Sequence, residues 1–192
     1  MSVATDGLEH RAGLPAALRV LADALPRSGW QAHDNFDEVI RFWLDRHLMF
    51  RELARRLRDG NRAYLDRDRD GDTVRREATH YTSFLLRDLH VHHTLEDTQF
   101  FPRLSGLDSR LTHGFDLLEQ DHDDLGRHLE ALRLGTNDFL AAHDAGDGRD
   151  AAGRLETVLG QVDGFLDRHL LDEEDLVVPV ILTHAPDLQH WT

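Results

Sequence analysis

The chain has 192 residues, enough for one domain with a sizeable core, and at 40% hydrophobic and 30% charged it reads as soluble and globular. With no cysteine, it is excluded from disulfides, thiolate-held zinc, iron–sulfur clusters and cysteine nucleophiles, so any metal falls to His, Asp, Glu, Tyr or backbone oxygen. All 22 basic residues are Arg, which removes lysine chemistry, and a formal charge of −14 argues against nucleic acid or an anionic membrane as partner.

The first residues form a short polar run without an apolar segment, and no stretch reaches the ~20 apolar residues of a membrane span. A cytoplasmic location is the expectation. Residues 1–30 read as an N-terminal extension. Within it Leu14 to Leu25 predicts a short helix, with Pro15 in its first turn and Pro26 ending it. Nothing there signals chemistry.

Residues 31–186 carry four long segments with apolar residues at alternating spacings of three and four. The first holds Phe36, Ile40, Trp43, His47, Phe50, Ala54 and Leu57, and Asp59-Gly60-Asn61 is expected to end it. Between the first and second, Asp66, Asp68, Asp70, Gly71 and Glu77 fit the EF-hand spacing D-x-D-x-D-G-x5-E. Thr73 stands where that loop has an aliphatic residue, four arginines offset the charge, and no second loop exists to pair with it. A solvated acidic loop is the stronger expectation.

The second segment holds Tyr81, Leu85, Leu89, His92, Glu96 and Arg103, and Gly106-Leu107-Asp108 separates it from the third. The third holds Leu111, Phe115, Leu118, His122, Leu125, Leu129 and Leu132; a break follows at residues 144–148. The fourth holds Leu155, Val162, Leu166, His169, Glu173, Leu176 and Val180. Residues 187–192 read as a tail. The pattern predicts an all-α protein, an antiparallel up-down four-helix bundle with a short N-terminal helical extension.

In each seam an ionisable side chain takes an apolar position: His47, His92, His122 and His169. Glu96 and Glu173 follow the second and fourth of these by four residues. Four residues turn a helix by about 400° and rise ~6 Å, so each His and its Glu project from one face in adjacent turns. Any one such histidine would be an ordinary core residue. The set repeats, however: His47 precedes His92 by 45 residues, His122 precedes His169 by 47, and Pro102 and Pro179 each lie ten positions after the later histidine. Four imidazoles and two carboxylates buried without partners would cost several kcal/mol per group. Two metal ions, each with two His and bridged by two Glu, satisfy the whole set.

This spacing resembles that of the hemerythrin and HHE cation-binding family over about residues 33–184. The resemblance implies two non-heme iron ions, with His47, His92, His122 and His169 as terminal ligands and Glu96 and Glu173 as bridging carboxylates. It implies a binding partner of the O2 type, or a related diatomic or peroxide, with binding or sensing of oxygen as the function. A diiron enzyme acting on peroxide or nitric oxide, or an iron-responsive regulator, is the alternative. Oxygen-carrying members have a further His one turn after the third-helix ligand, where this chain has Gly126, and an Asp five residues after the fourth-helix His, where it has Glu174. Glu173 is preferred because it matches Glu96 in the internal repeat. His93, Glu119 and Glu174 remain open as an extra ligand, with a flanking, solvent-facing position expected for His93. His80, His90, His113 and His128 lie off the seams and are expected at the surface or behind the ligands.

Overall fold

The computed structural model describes residues 7–8 and 11–187. All of the proposed tail at 187–192 except Asp187, and the first residues of the extension, therefore lie outside the described residues. Among the described residues all regular structure is helical, with no strand. A short 3-10 turn (Ala16–Leu18) leads into α1 (Val20–Ala24), and a second turn follows at Arg27–Ala32. The long helices are α2 (Glu38–Leu65), α3 (Gly71–Leu95), α5 (Thr112–Asp144) and α6 (Gly148–His184). A π-helical segment (Glu96–Phe100) and the short α4 (Phe101–Leu104) continue directly from α3. No described helix is long and apolar enough to cross a membrane.

The helix expected over Leu14 to Leu25 is thus split into a 3-10 turn and a five-residue α-helix. The expected stop at Gly60-Asn61 does not end α2. Asn61 is 2% exposed and its amide donates to Ala152 O at 3.1 Å and Glu156 Oε2 at 3.0 Å, so tertiary bonds repay what its helix propensity lacks. The chain leaves α2 through Arg67 at φ 67°, and Asp70 caps α3 by accepting from Thr73 N at 2.8 Å. That cap dissolves the EF-hand reading: residues from Gly71 on are already helical, and Glu77 is engaged by Arg69 at 2.6 Å. A Cβ on Gly71 would stand 2.5 Å from the His143 ring and 3.0 Å from Tyr64, so close packing, not ion ligation, accounts for this glycine.

The second helical seam holds as far as Glu96 and then shifts. Arg103, expected inside, is exposed, and Leu104 is fully buried. The π-helical turn adds a residue between Glu96 and the next inward position, so the inward face falls eight residues on rather than seven. Pro102 has no N–H to give residue 98 and crowds its carbonyl, which favours the widened turn just before it.

The chain divides into two compact units. One comprises residues up to Leu48, His93–His122 and Asp167 onward; its apolar core gathers Leu14, Leu18 and Trp30 of the extension with Ile40, Phe101 and Phe115 among others. The other comprises Met49–His92 and Asp123–Leu166. Phe50, Leu85, Leu125 and Phe139 are fully buried there, and the Thr82 and Thr136 hydroxyls pair at 3.2 Å.

Candidate metal centre

Seven buried side chains converge. His93, His122 and His169 each place one ring nitrogen within 4.8 Å of the others, and His47, His92, Glu96 and Glu173 do the same with a nitrogen or a carboxylate oxygen. His47, His169 and Glu173 expose nothing and Glu96 only 1%. The local cause is the one read from the sequence. His and Glu four residues apart share a helix face, and here that face is otherwise apolar.

Two of the rings are hydrogen-bonded at Nδ1 by a carboxylate, and a third faces one beyond hydrogen-bond reach. His47 Nδ1 lies 3.0 Å from Glu174 Oε1, His122 Nδ1 2.7 Å from Asp97 Oδ1, and His169 Nδ1 3.6 Å from Asp121 Oδ2. A carboxylate at Nδ1 keeps the proton there and turns Nε2, with its lone pair, the other way. Nε2 of His47 and of His169 then face Glu173 Oε2 at 3.5 and 3.6 Å, and Nε2 of His122 faces Glu96 Oε2 at 3.8 Å. Trp43 Nε1–H donates to Glu96 Oε1 at 2.7 Å and so fixes the other oxygen towards His122. Aromatic rings close in around the histidines: Phe101 lies 5.5 Å from His122 and Phe50 5.1 Å from His92.

The electrostatics are those of buried donors that a cation would satisfy. His122 Nε2, both ring nitrogens of His169 and both oxygens of Glu173 are buried with no hydrogen-bond partner. These five atoms in one place call for an ion, since each unsatisfied polar group costs about 1–3 kcal/mol. Burial first, and His122 next, lower His169 to about 4, so its ring is neutral at pH 7 and needs no deprotonation to bind a metal. Burial, and then the neighbouring Glu96 carboxylate, push Glu173 well up. A divalent cation reverses that preference by pairing with both carboxylates. Imidazole and carboxylate without thiolate suit iron, manganese or zinc.

All six side chains singled out from the sequence, His47, His92, Glu96, His122, His169 and Glu173, fall within these two groups. The expectation for His93 needs correction. It is 8% exposed, and its ring stacks on His122 at 4.0 Å and 9°. Glu119 is exposed, whereas Glu174 is buried and holds His47 from behind. His80, His90 and His113 are at the surface, and His128 is half-buried against Phe165. Sequence reasoning missed Trp43, Asp97 and Asp121. The available signal was an acidic residue directly beside a ligand at Asp97, Asp121 and Glu174.

Residues 38–181 match the family model described as the Hemerythrin HHE cation binding domain. No curated protein and no solved structure gives a significant match.

Proposed function

Since the chain belongs to the hemerythrin HHE cation-binding family, we propose that it is a non-heme diiron protein that binds dioxygen. The observation that carries this reading is the pairing of two adjoining donor groups, one of three imidazoles and one of two imidazoles with two carboxylates. His47 and His92 would hold one iron and His93, His122 and His169 the other, with Glu96 and Glu173 shared between them. The iron pair supplies the electrons that dioxygen takes up on binding.

The chain's own residues supply the rest. The carboxylates of Glu174 and Asp97 fix two rings with Nε2 inward, and Asp121 faces the third, so the donors need little rearrangement to receive a metal. Phe50 and Phe101 line the imidazoles with apolar surface and limit access of water. His93 supplies the fifth imidazole that the glycine at position 126 withholds. A complete nitrogen set favours binding of oxygen over turnover of peroxide or nitric oxide, which a more open metal would favour.

The same reading takes α2, α3, α5 and α6 as an antiparallel up-down four-helix bundle over about residues 31–186. The connections after α2 and α5, residues 66–70 and 145–147, are short, as antiparallel neighbours require. We place the protein in the cytoplasm, with dioxygen as its partner and no part for nucleic acid or membrane.

The test loads the metal-free protein with ferrous iron without air and counts the bound iron. Optical spectra are then taken before oxygen, after oxygen, and after oxygen is stripped away. Two irons per chain and a band that comes and goes are expected. A band that stays would replace oxygen binding with peroxide or nitric oxide chemistry, or with iron-responsive regulation. Fewer than two irons would sink the paired centre.

A further inference from the structure

We propose that the N-terminal segment, residues 11–33, is a working part of the metal centre, in which Arg11 and Arg27 are positioning residues acting through Asp121 and Glu174. The proposal rests on the diiron reading above. It goes beyond that reading by giving a role to a segment that precedes the ligand-bearing helices and bears no ligand.

Arg11 is a buried cation, its side chain 6% exposed. Its Nη1 donates to Asp121 Oδ1 at 2.9 Å, its Nη2 to Asp121 Oδ2, and its Nε to Asp172 Oδ2 at 2.8 Å. Asp121 Oδ2 is the atom that faces His169 Nδ1. Arg27 repeats the arrangement on the other side. Its Nη1 donates to Glu174 Oε2, its Nε to Asp175 Oδ1 at 2.7 Å and its Nη2 to Leu171 O at 2.8 Å. The other oxygen of Glu174 receives His47 Nδ1. Each arm therefore runs from arginine to carboxylate to Nδ1, and its Nε2 ends at the same atom, Glu173 Oε2.

Packing alone does not call for these charges. Leu14, Leu18 and Trp30 are already in the apolar core and would seat the segment by themselves. A buried guanidinium with two carboxylates adds little stability over apolar residues of the same size. What it does provide is direction. A planar fork across both oxygens stops the Asp121 carboxylate from turning and keeps its Oδ2 facing His169 Nδ1. The coupling is reciprocal: a docked segment holds the rings for the metal, and a bound metal holds the rings and carboxylates for the segment.

The experiment uses the full chain and ferrous iron without air. Iron bound by the wild type is counted first, and its release to a strong ferrous chelator is then timed in wild type, Arg11→Gln and Arg27→Gln. Release at least ~10-fold faster in each variant is expected, the usual scale for losing a group that orients a ligand. Arg11→Lys should recover only part of it. Iron loading should also slow hydrogen exchange of the amides of residues 11–33 in the wild type. If Arg11→Gln does not fold, Arg27→Gln carries the test, because its side chain is 38% exposed and tolerates change. Variants that melt lower but release iron at the wild-type rate, with exchange of the segment unaltered by iron, would make the arginines purely structural and overturn the inference alone. A wild type that takes up no iron would overturn the diiron reading and this inference together.

Discussion

Glu173→Gln should have opposite effects on the metal-loaded and metal-free protein. Glu173 is fully buried, neither oxygen has a hydrogen-bond partner, and Glu96 is close enough to resist its ionisation. Without metal it is a liability worth about 1–3 kcal/mol, the cost of an unsatisfied buried group. Glutamine keeps the shape and adds N–H donors. Nε2 of His47 and His169 lie 3.5 and 3.6 Å from Glu173 Oε2, and the Glu174 carboxylate keeps the His47 proton at Nδ1, which leaves that Nε2 as an acceptor. Metal-free Glu173→Gln is therefore expected to be more stable by about 1–3 kcal/mol, which for a chain of this size raises Tm by roughly 2–10 °C. The same substitution removes a shared ligand and should cut bound iron.

The pH dependence gives the sign a second check. A carboxyl raised in the folded state contributes stability that is complete below its unfolded value of about 4.5 and is lost as pH rises towards the folded value. His169, lowered to about 4, acts in the opposite sense, but only between about 4 and its ordinary 6.5. His169 is common to wild type and variant, so the difference between them isolates the Glu173 effect. Melting curves of metal-free wild type and variant at pH 4.5 and 7 should therefore diverge, with the wild type losing stability relative to the variant at the higher pH. A variant that melts below the wild type at both values, or that keeps its full iron, would refute the reasoning.

His93→Leu should retain the fold and lose about half the bound iron, together with the reversible oxygen band, because one metal is left with two imidazoles; full iron loading would return His93 to a packing role. Asn61→Ala removes the donor to the Ala152 carbonyl and to the half-buried Glu156 and should cost about 1 kcal/mol in urea unfolding, against ~0 if α2 needs no such tie there. Millimolar calcium should leave the melting temperature within about 1 °C; a larger rise would restore an ion to the loop at Asp66 to Glu77.

The helical reading was legible because a period of three and four survives over each long segment, and it failed where one turn departs from that period. Arg103 and Leu104 make the point. Seven residues after Glu96 is the inward position of an α-helix, but a single widened turn moves it to eight, and nothing in the hydrophobic pattern before Glu96 announces this. Gly60-Asn61 failed for a different reason. The pair has the local character of a helix stop, and the bonds that override it come from residues more than ninety positions later. Local propensity is visible in a sequence, whereas partners at that distance are not.

The centre was legible to the extent that it is periodic. His92 with Glu96 and His169 with Glu173 are one-face pairs, and the helix–helix unit repeats, so six donors could be named. The repeat also misleads, because it implies two imidazoles on each side. Adjacent positions on a helix differ by about 100°, so a single inward seam admits His92 and assigns His93 to the flank. In the folded chain the doublet feeds both donor groups, His92 joining His47 and the two glutamates while His93 joins His122 and His169. Gly126, where the related oxygen carriers place their extra imidazole, is exposed, and nothing lies within 4 Å of where its Cβ would be. On the diiron reading, His93 on α3 would supply the imidazole that Gly126 on α5 does not. The arginines behind the centre had no such trace, since their partners lie 110 and 147 residues away and an isolated Arg in a polar N-terminal stretch has no period to betray it.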